Sequence, residues 1–386
     1  MKHPKNALVI TTIPPRIAGK PPVEGGHSEW ILLNGPTKNK VLNAPGYPQP
    51  VPKHPGSKPY TVKSTPTMGL GVFATRDIPM GQIIFAERPL IVSPCGLIPI
   101  GDINPQDYSR EDYQKIMLYE GEQLLEVAAR RMEPERRAKL MALMNSHLED
   151  GSGPIRGIIR TNGYGVSNLC DGDDIPTFGS SSPSYYSLVC DVGSRINHRC
   201  GALYIFRLAN TNLFFSSCLP NVCHAFKPSS FSVVFFALRD IKSGEQLFHS
   251  YCAPEQPSSD RKAALAPYGI ACVCASCINA TPETDTIRQT FLARIKEYRR
   301  QSKTWEQLPI SPGWNVPVQN LDKLLKYQKA LVKEGLDAHP DYWAEFIPAL
   351  AMAYRWAGRR REMEKVIREM LGYAKFLQEK TDMRKS

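Results

Sequence analysis

Three thiols stand within six residues at Cys272-x-Cys274-x-x-Cys277. Thiolates so spaced suit a structural tetrahedral zinc that still lacks one ligand. A second reactive stretch opens on Ser194-Arg195-Ile196-Asn197-His198 and closes on Cys218-Leu219-Pro220-Asn221-Val222-Cys223-His224, with eighteen residues, Cys200 to Ser217, between Arg199 and Cys218. Without those eighteen residues the flanks join as Asn-His-x-Cys-x-Pro-Asn, an amide, an imidazole and a thiol in one short segment. A third feature is Gly69-Leu70-Gly71. Its glycines let backbone amides approach a ligand closely, although a glycine pair by itself is more often a plain turn.

These residues need a scaffold. Met68 to Glu87 predicts a strand, a turn at Pro79 to Gly81 and a second strand, with the β signal ending near Leu90 to Val92. Residues 105–150 have helical texture, since Tyr113, Ile116 and Met117, then Leu124, Leu125 and Val127, then Leu140, Leu143 and Met144 recur at three-to-four spacing. Ile155 to Val166 predicts a strand followed by a turn, with Asn162 just before Gly163. Phe231 to Leu238 predicts a buried strand, and Arg239 to Leu247 another strand–turn–strand that runs into Phe248-His249-Ser250-Tyr251. Residues 1–59 carry twelve of the 33 prolines and predict an extended, disordered leader, with Leu8 to Ile13 and Trp30 to Leu33 as apolar patches. Past Cys277, Leu321 to Leu336, Tyr342 to Ala357 and Arg361 to Leu377 predict amphipathic helices.

Composition narrows the function classes. The chain has 386 residues, of which 42% are apolar and 22% charged, as in ordinary globular proteins. Its longest apolar runs are too short to span a bilayer and its N-terminus has no signal-peptide core, so an intracellular place, nucleus or cytoplasm, is expected and a membrane partner is not. The net charge of +11 divides as +6 over residues 1–60, −1 over 61–280 and +6 over 281–386. A positive charge confined to the tails does not describe a specific nucleic-acid surface. All ten cysteines fall between Cys95 and Cys277, which favours thiols or metal ligands over disulfides.

Taken in order, Gly69-Leu70-Gly71-Val72-Phe73-Ala74, the split Asn197-His198 and Cys218-Leu219-Pro220-Asn221, Gly244-Glu245-Gln246-Leu247-Phe248-His249-Ser250-Tyr251, and Tyr268-Gly269-Ile270-Ala271-Cys272-Val273-Cys274-Ala275-Ser276-Cys277 resemble a SET-domain protein lysine methyltransferase. The likeness is nearest to the MYND-associated branch, without its MYND zinc finger: residues 93–169 contain only Cys95. It implies an α+β fold of short curved sheets, with a SET domain over 60–255, a helical insertion at about 100–165, a zinc-binding post-SET segment over 256–280 and a tetratricopeptide-like helical region over 281–386.

The resemblance also implies roles. Gly69, Leu70, Gly71, Asn162, Asn197 and His198 would contact S-adenosylmethionine, and Tyr251 and Tyr268 would line the lysine channel as catalytic residues. Zn2+ would sit on Cys272, Cys274, Cys277 and Cys218, with Cys200 as a competitor. Ile270 departs from relatives that carry an aromatic ring near the adenine. The expected partner is a histone or other lysine-bearing protein; the alternative is a catalytically impaired scaffold that binds a protein through its C-terminal helices. The insertion at 200–217 separates residues that the family keeps together. Arg199-Cys200 can encode a GT start, Ala209-Asn210 or Thr211-Asn212 a CTAAC branch site, and Leu213 to Ser217 a pyrimidine tract ending in AG. The segment therefore reads as a translated intron or a gene-model error, whose removal would restore Asn-His-Ser-Cys-Leu-Pro-Asn.

Overall fold

Short runs of β-branched and aromatic residues build one of the two units into which the chain divides, residues 1–197, 222–247 and 380–386; residues 198–221 and 248–379 form the other. The computed structural model describes residues 8–32, 35–54, 56–96, 103–166, 169, 186–198, 220–272, 274–306 and 316–385. Cys218 and the Cys200 to Ser217 insertion lie outside them.

The first unit contains β1 (Val9–Ile13), β2 (Ser28–Leu32), α1 (Gly35–Leu42), β3 (Tyr60–Ser64), β4 (Leu70–Ala74), β5 (Ile83–Glu87), β6 (Ile91–Pro94), α2 (Arg110–Arg130), α3 (Pro134–Met141), α4 (Pro154–Asn162), β7 (Tyr164–Val166) and β8 (Tyr186–Val189). After β9 (Asn197–His198), at which the chain leaves this unit, come β10 (Val222–Lys227) and β11 (Ser232–Ala237). One sheet has the order β1-β2-β6-β8-β7, a second β10-β11-β5 and a third β3-β4. Pairing is antiparallel except for β2 against β6. All six residues of β11 are buried, as a continuous apolar run requires.

Two expectations are corrected here. The described part of residues 1–59 is not a disordered leader, because β1 and β2 join the largest sheet. Trp30, Ile31 and Leu32 are buried, and Trp30 packs against Tyr186 and Phe231 at ring separations of 5.9 and 5.2 Å. The buried Glu29 carboxylate accepts from Thr12 Oγ1 at 3.0 Å, Arg16 Nη2 at 2.9 Å and Arg131 Nε at 3.0 Å, so its charge is matched by two guanidiniums. Of the described prolines in this segment, Pro36 lies in the first turn of α1, where its missing N–H is tolerated, and the others fall in connections, where it removes no ladder bond.

The second correction concerns Ile155 to Asn162, which is helix rather than strand. Ile155, Ile158 and Ile159 recur at helical spacing and are buried against Leu125, Ala129 and Leu140. Pro154 takes the first helical turn, and Glu122 of α2 accepts from the Ile155 and Arg156 amides at 2.8 and 2.9 Å, capping α4 from a distant helix. The helical texture at 105–150 is observed as α2 and α3.

The second unit holds β12 (Phe248–His249), α5 (Ser258–Leu265), α6 (Ala275–Ile278), α7 (Pro282–Glu306), α8 (Val316–Glu334) and α9 (Ile347–Trp356), and α10 (Arg360–Lys385) lies in it up to residue 379. Phe291, Leu324, Leu331, Phe346 and Leu350 sit in its helical core. Within it, α7 grips the segment that follows Tyr251. Asp285 accepts from Ser258 N at 2.8 Å and Ser258 Oγ at 2.9 Å, capping α5. Arg288 donates to the Pro254 carbonyl and pairs with Glu334 at 2.9 Å, both side chains being almost wholly buried.

Candidate active site

In the first unit the predicted glycine turn and Asn197 meet. Gly69 has φ +63°, the left-handed region that glycine enters without strain, and its carbonyl accepts from the Thr65 amide at 2.6 Å to close the turn. A Cβ on Gly71 would lie 2.5 Å from Gln246 Nε2, 2.9 Å from Thr65 Cγ2 and 3.1 Å from Asn197 Nδ2, so the position requires glycine for close approach. Asn197 Nδ2 donates to the Leu70 carbonyl at 3.0 Å across 127 positions of sequence.

The approach to Asn197 is fixed by a residue that motif reading missed. Glu87, at the end of β5, accepts from the Asp191, Val192 and Gly193 amides at 3.1, 3.2 and 2.6 Å. Burial pushes its carboxyl above the usual range, against the pull of the Gly193 and Val192 amides toward the carboxylate. Tyr164 Oη donates to the Gly193 carbonyl at 2.6 Å, and Ser194 Oγ to the Asn162 carbonyl at 3.0 Å. Asn162 itself spends both side-chain hydrogens on backbone, its Nδ2 donating to the Met144 and Ile158 carbonyls at 2.6 and 2.7 Å. Only its Oδ1 remains to face a ligand.

In the second unit the predicted His198, Tyr251 and Tyr268 form one row. The Tyr251 amide donates to His198 Nδ1 at 2.8 Å. Nδ1 is therefore an acceptor and the imidazole proton resides on Nε2, which is buried and without a hydrogen-bond partner among the described residues. The ring centroids of His198 and Tyr251 are 5.1 Å apart, and those of Tyr251 and Tyr268 5.2 Å. Burial, with a smaller contribution from the Tyr268 phenol, holds the Tyr251 hydroxyl well above its ordinary range, so it is a neutral phenol at physiological pH. Asn221, wholly buried, exchanges hydrogen bonds with Phe248: its Oδ1 accepts from the Phe248 amide at 2.7 Å and its own amide donates to the Phe248 carbonyl at 3.1 Å. It thereby fixes β12 three residues before Tyr251; its place in the interrupted motif was the signal for it.

Beside that row stand Cys272, Cys274 and Cys277, whose sulfurs all lie within 4.8 Å of one another. Tyr251, Cys252 and Ile270 pack against this cluster around the buried Leu265. Convergent soft donors, two of them buried, fit a thiophilic divalent cation such as zinc. The predicted fourth ligand, Cys218, is outside the described residues. No described helix is long and apolar enough to cross a membrane.

Known proteins resemble this chain in the same region. Residues 69–252 match the family model of the SET domain. Histone-lysine N-methyltransferase set5 of Schizosaccharomyces pombe is 24% identical over 243 residues, which are 63% of this chain and 55% of that protein. The chain thus spans about half the length of the curated relative it matches. Among solved structures, the SET domain of LSMT bound to lysine and AdoHcy aligns over 81% of this chain and 89% of its own at 12% identity, with a TM-score of 0.26.

Proposed function

We propose, from the match of residues 69–252 to the SET-domain family model, that this protein transfers a methyl group from S-adenosylmethionine to the side-chain amine of a protein lysine. The observation that carries the reading is the row His198–Tyr251–Tyr268 with its fixed imidazole tautomer. When bound, S-adenosylmethionine supplies a methyl already activated on a sulfonium, so no nucleophile on the enzyme is needed. The work left to the protein is orientation. Gly69 to Gly71 and Asn197 would hold the cofactor, Gly71 leaving the close approach open. His198 offers its buried Nε2–H as a donor.

Tyr251, kept neutral by burial, would accept or donate at the lysine nitrogen and hold it, uncharged, in line with the methyl, where positioning provides most of the acceleration. Tyr268 would close the channel opposite. The methylated amine would carry one surplus proton, which would leave to water. Asn162 is the weakest of the cofactor assignments, since only Oδ1 is uncommitted. Zinc on Cys272, Cys274, Cys277 and Cys218 would fix the post-SET segment. We assign the chain to the MYND-associated branch, with tetratricopeptide-like C-terminal helices and work on a histone or other protein in the nucleus or cytoplasm.

The insertion at 200–217 favours a second reading, a SET-fold scaffold that binds a protein through its C-terminal helices, because it divides Asn197 and His198 from Cys218. Labelled S-adenosylmethionine with histones or a cell lysate separates the two. A variant lacking residues 200–217 is expected to transfer label, and its Tyr251→Phe derivative to lose on the order of 10²-fold or more. If the deletion variant is folded and zinc-loaded yet transfers nothing, the scaffold stands. Transcripts that retain the insert in abundance would sink the intron reading.

A further inference from the structure

Arg261 is among the largest fully buried side chains of the described residues, on α5, eleven residues before Cys272 of the cysteine cluster. Its Nη1 donates to the Gln256 carbonyl at 2.5 Å and its Nη2 to the Ser276 carbonyl at 3.1 Å. The same Nη2 reaches Cys277 Sγ at 3.7 Å, within hydrogen-bond range for sulfur. A guanidinium taken out of water is costly unless an opposite charge and good acceptors compensate it. Thiolate sulfur would be such a charge: the three sulfurs lie within 4.8 Å of one another, and three cysteines binding a divalent cation as thiolates would carry more negative charge than it neutralises. Hydrogen bonds to metal-bound sulfur orient the ligand and lower its tendency to leave.

We propose that Arg261 is a positioning residue of the metal centre: its buried guanidinium is the countercharge and hydrogen-bond donor that holds Cys277 on zinc and ties the cluster to α5. The inference rests on the zinc reading above but not on methyl transfer. The fork geometry matters as well as the charge, because one guanidinium serves two carbonyls and a sulfur from two edges. A lysine ammonium keeps the charge and loses that geometry.

The test compares the full chain with Arg261→Lys and Arg261→Met, each purified with zinc. Metal content is measured by mass spectrometry, and zinc release to excess EDTA is followed with a chromogenic chelator. Leu324→Ala, in the helical core away from the cysteines, serves as a destabilised control. Arg261→Met is expected to release zinc about 10–100-fold faster than wild type, Arg261→Lys at an intermediate rate, and Leu324→Ala at the wild-type rate. Cobalt-substituted Arg261→Met should also show a shifted sulfur-to-metal charge-transfer band. The proposal is overturned if Arg261→Met releases zinc no faster than wild type, or no faster than a control of equal thermal stability. A wild-type chain that takes up no zinc would overturn the metal reading itself, and this inference with it.

Discussion

At the scale of single residues, types and roles separate cleanly. Gly71 is small because three side chains crowd the space its Cβ would occupy, whereas Gly69 is glycine for its backbone angle. The two therefore fail differently on substitution. Gly71→Ala is expected to push Asn197 Nδ2 off the Leu70 carbonyl and weaken S-adenosylmethionine binding about tenfold or more by calorimetry, with little change in the thermal midpoint. Unchanged affinity in a folded variant would remove Gly71 and Asn197 from the cofactor site. Asn197 and His198 were singled out by motif order, but the hydrogen bonds that fix them were not legible. Each joins groups distant in sequence, Leu70 with Asn197 and His198 with Tyr251. Glu87 and Arg261 gave no signal at all, because a buried ionisable group shows itself only through the partners that satisfy it.

At the scale of elements, the C-terminal helices do more than stand apart as a module. α7 caps α5 through Asp285 and holds Pro254 through Arg288, which is anchored in turn by Glu334 of α8. Removing one partner of a buried pair strands the other's charge, so Glu334→Ala should cost about 3–5 kcal/mol in urea unfolding. Arg288→Met combined with Glu334→Leu should recover much of that loss, since two apolar side chains leave no charge unpaired.

A second element-level prediction concerns Asp337, beyond α8, whose Oδ1 is buried without a hydrogen-bond partner among the described residues. Burial pushes its carboxyl up to about 6 from an ordinary 3.8. A raised carboxyl pKa means a contribution to stability that is present below the unfolded value and lost as pH rises through about 6. Asp337→Asn should therefore raise the thermal midpoint at pH 7.5 and not at pH 4; equal shifts at both would show that the side chain does not titrate with folding. The elements themselves were partly legible. β11 follows a continuous buried run, β4 and β5 follow runs of apolar and aromatic residues on either side of the Pro79 to Gly81 turn, and α8 to α10 follow helical period. The strand reading of Ile155 to Ile159 failed because isoleucine favours strands locally, while a cap supplied by Glu122 from 33 positions away favours the helix.

At the scale of the whole molecule, the interrupted segment is also where the chain passes between units, at residues 197–198 and again at 221–222. The flanks of the insertion are held by hydrogen bonds within their own units, Asn197 to Leu70 in one, and His198 to Tyr251 and Asn221 to Phe248 in the other. Excision of residues 200–217 is accordingly expected to raise methyl transfer above that of the full chain by at least an order of magnitude, read as label incorporated per zinc-loaded molecule. Equal or lower transfer after excision would mean that the insertion belongs to the working site.

The sequence by itself determined the order of the motifs, the close spacing of three cysteines and the segments β4, β5, β6, β11, α2, α3 and α8 to α10, but not α7, because spacing and periodicity are local and survive without a fold. Only the tertiary structure decided that the proline-rich first segment closes the largest sheet, that Asn197 faces Leu70 and that His198 carries its proton on Nε2. The physical reason is the same in each case. Proline content and residue type describe what a segment prefers alone, whereas buried charges and polar hydrogens are settled by whichever distant group arrives to satisfy them.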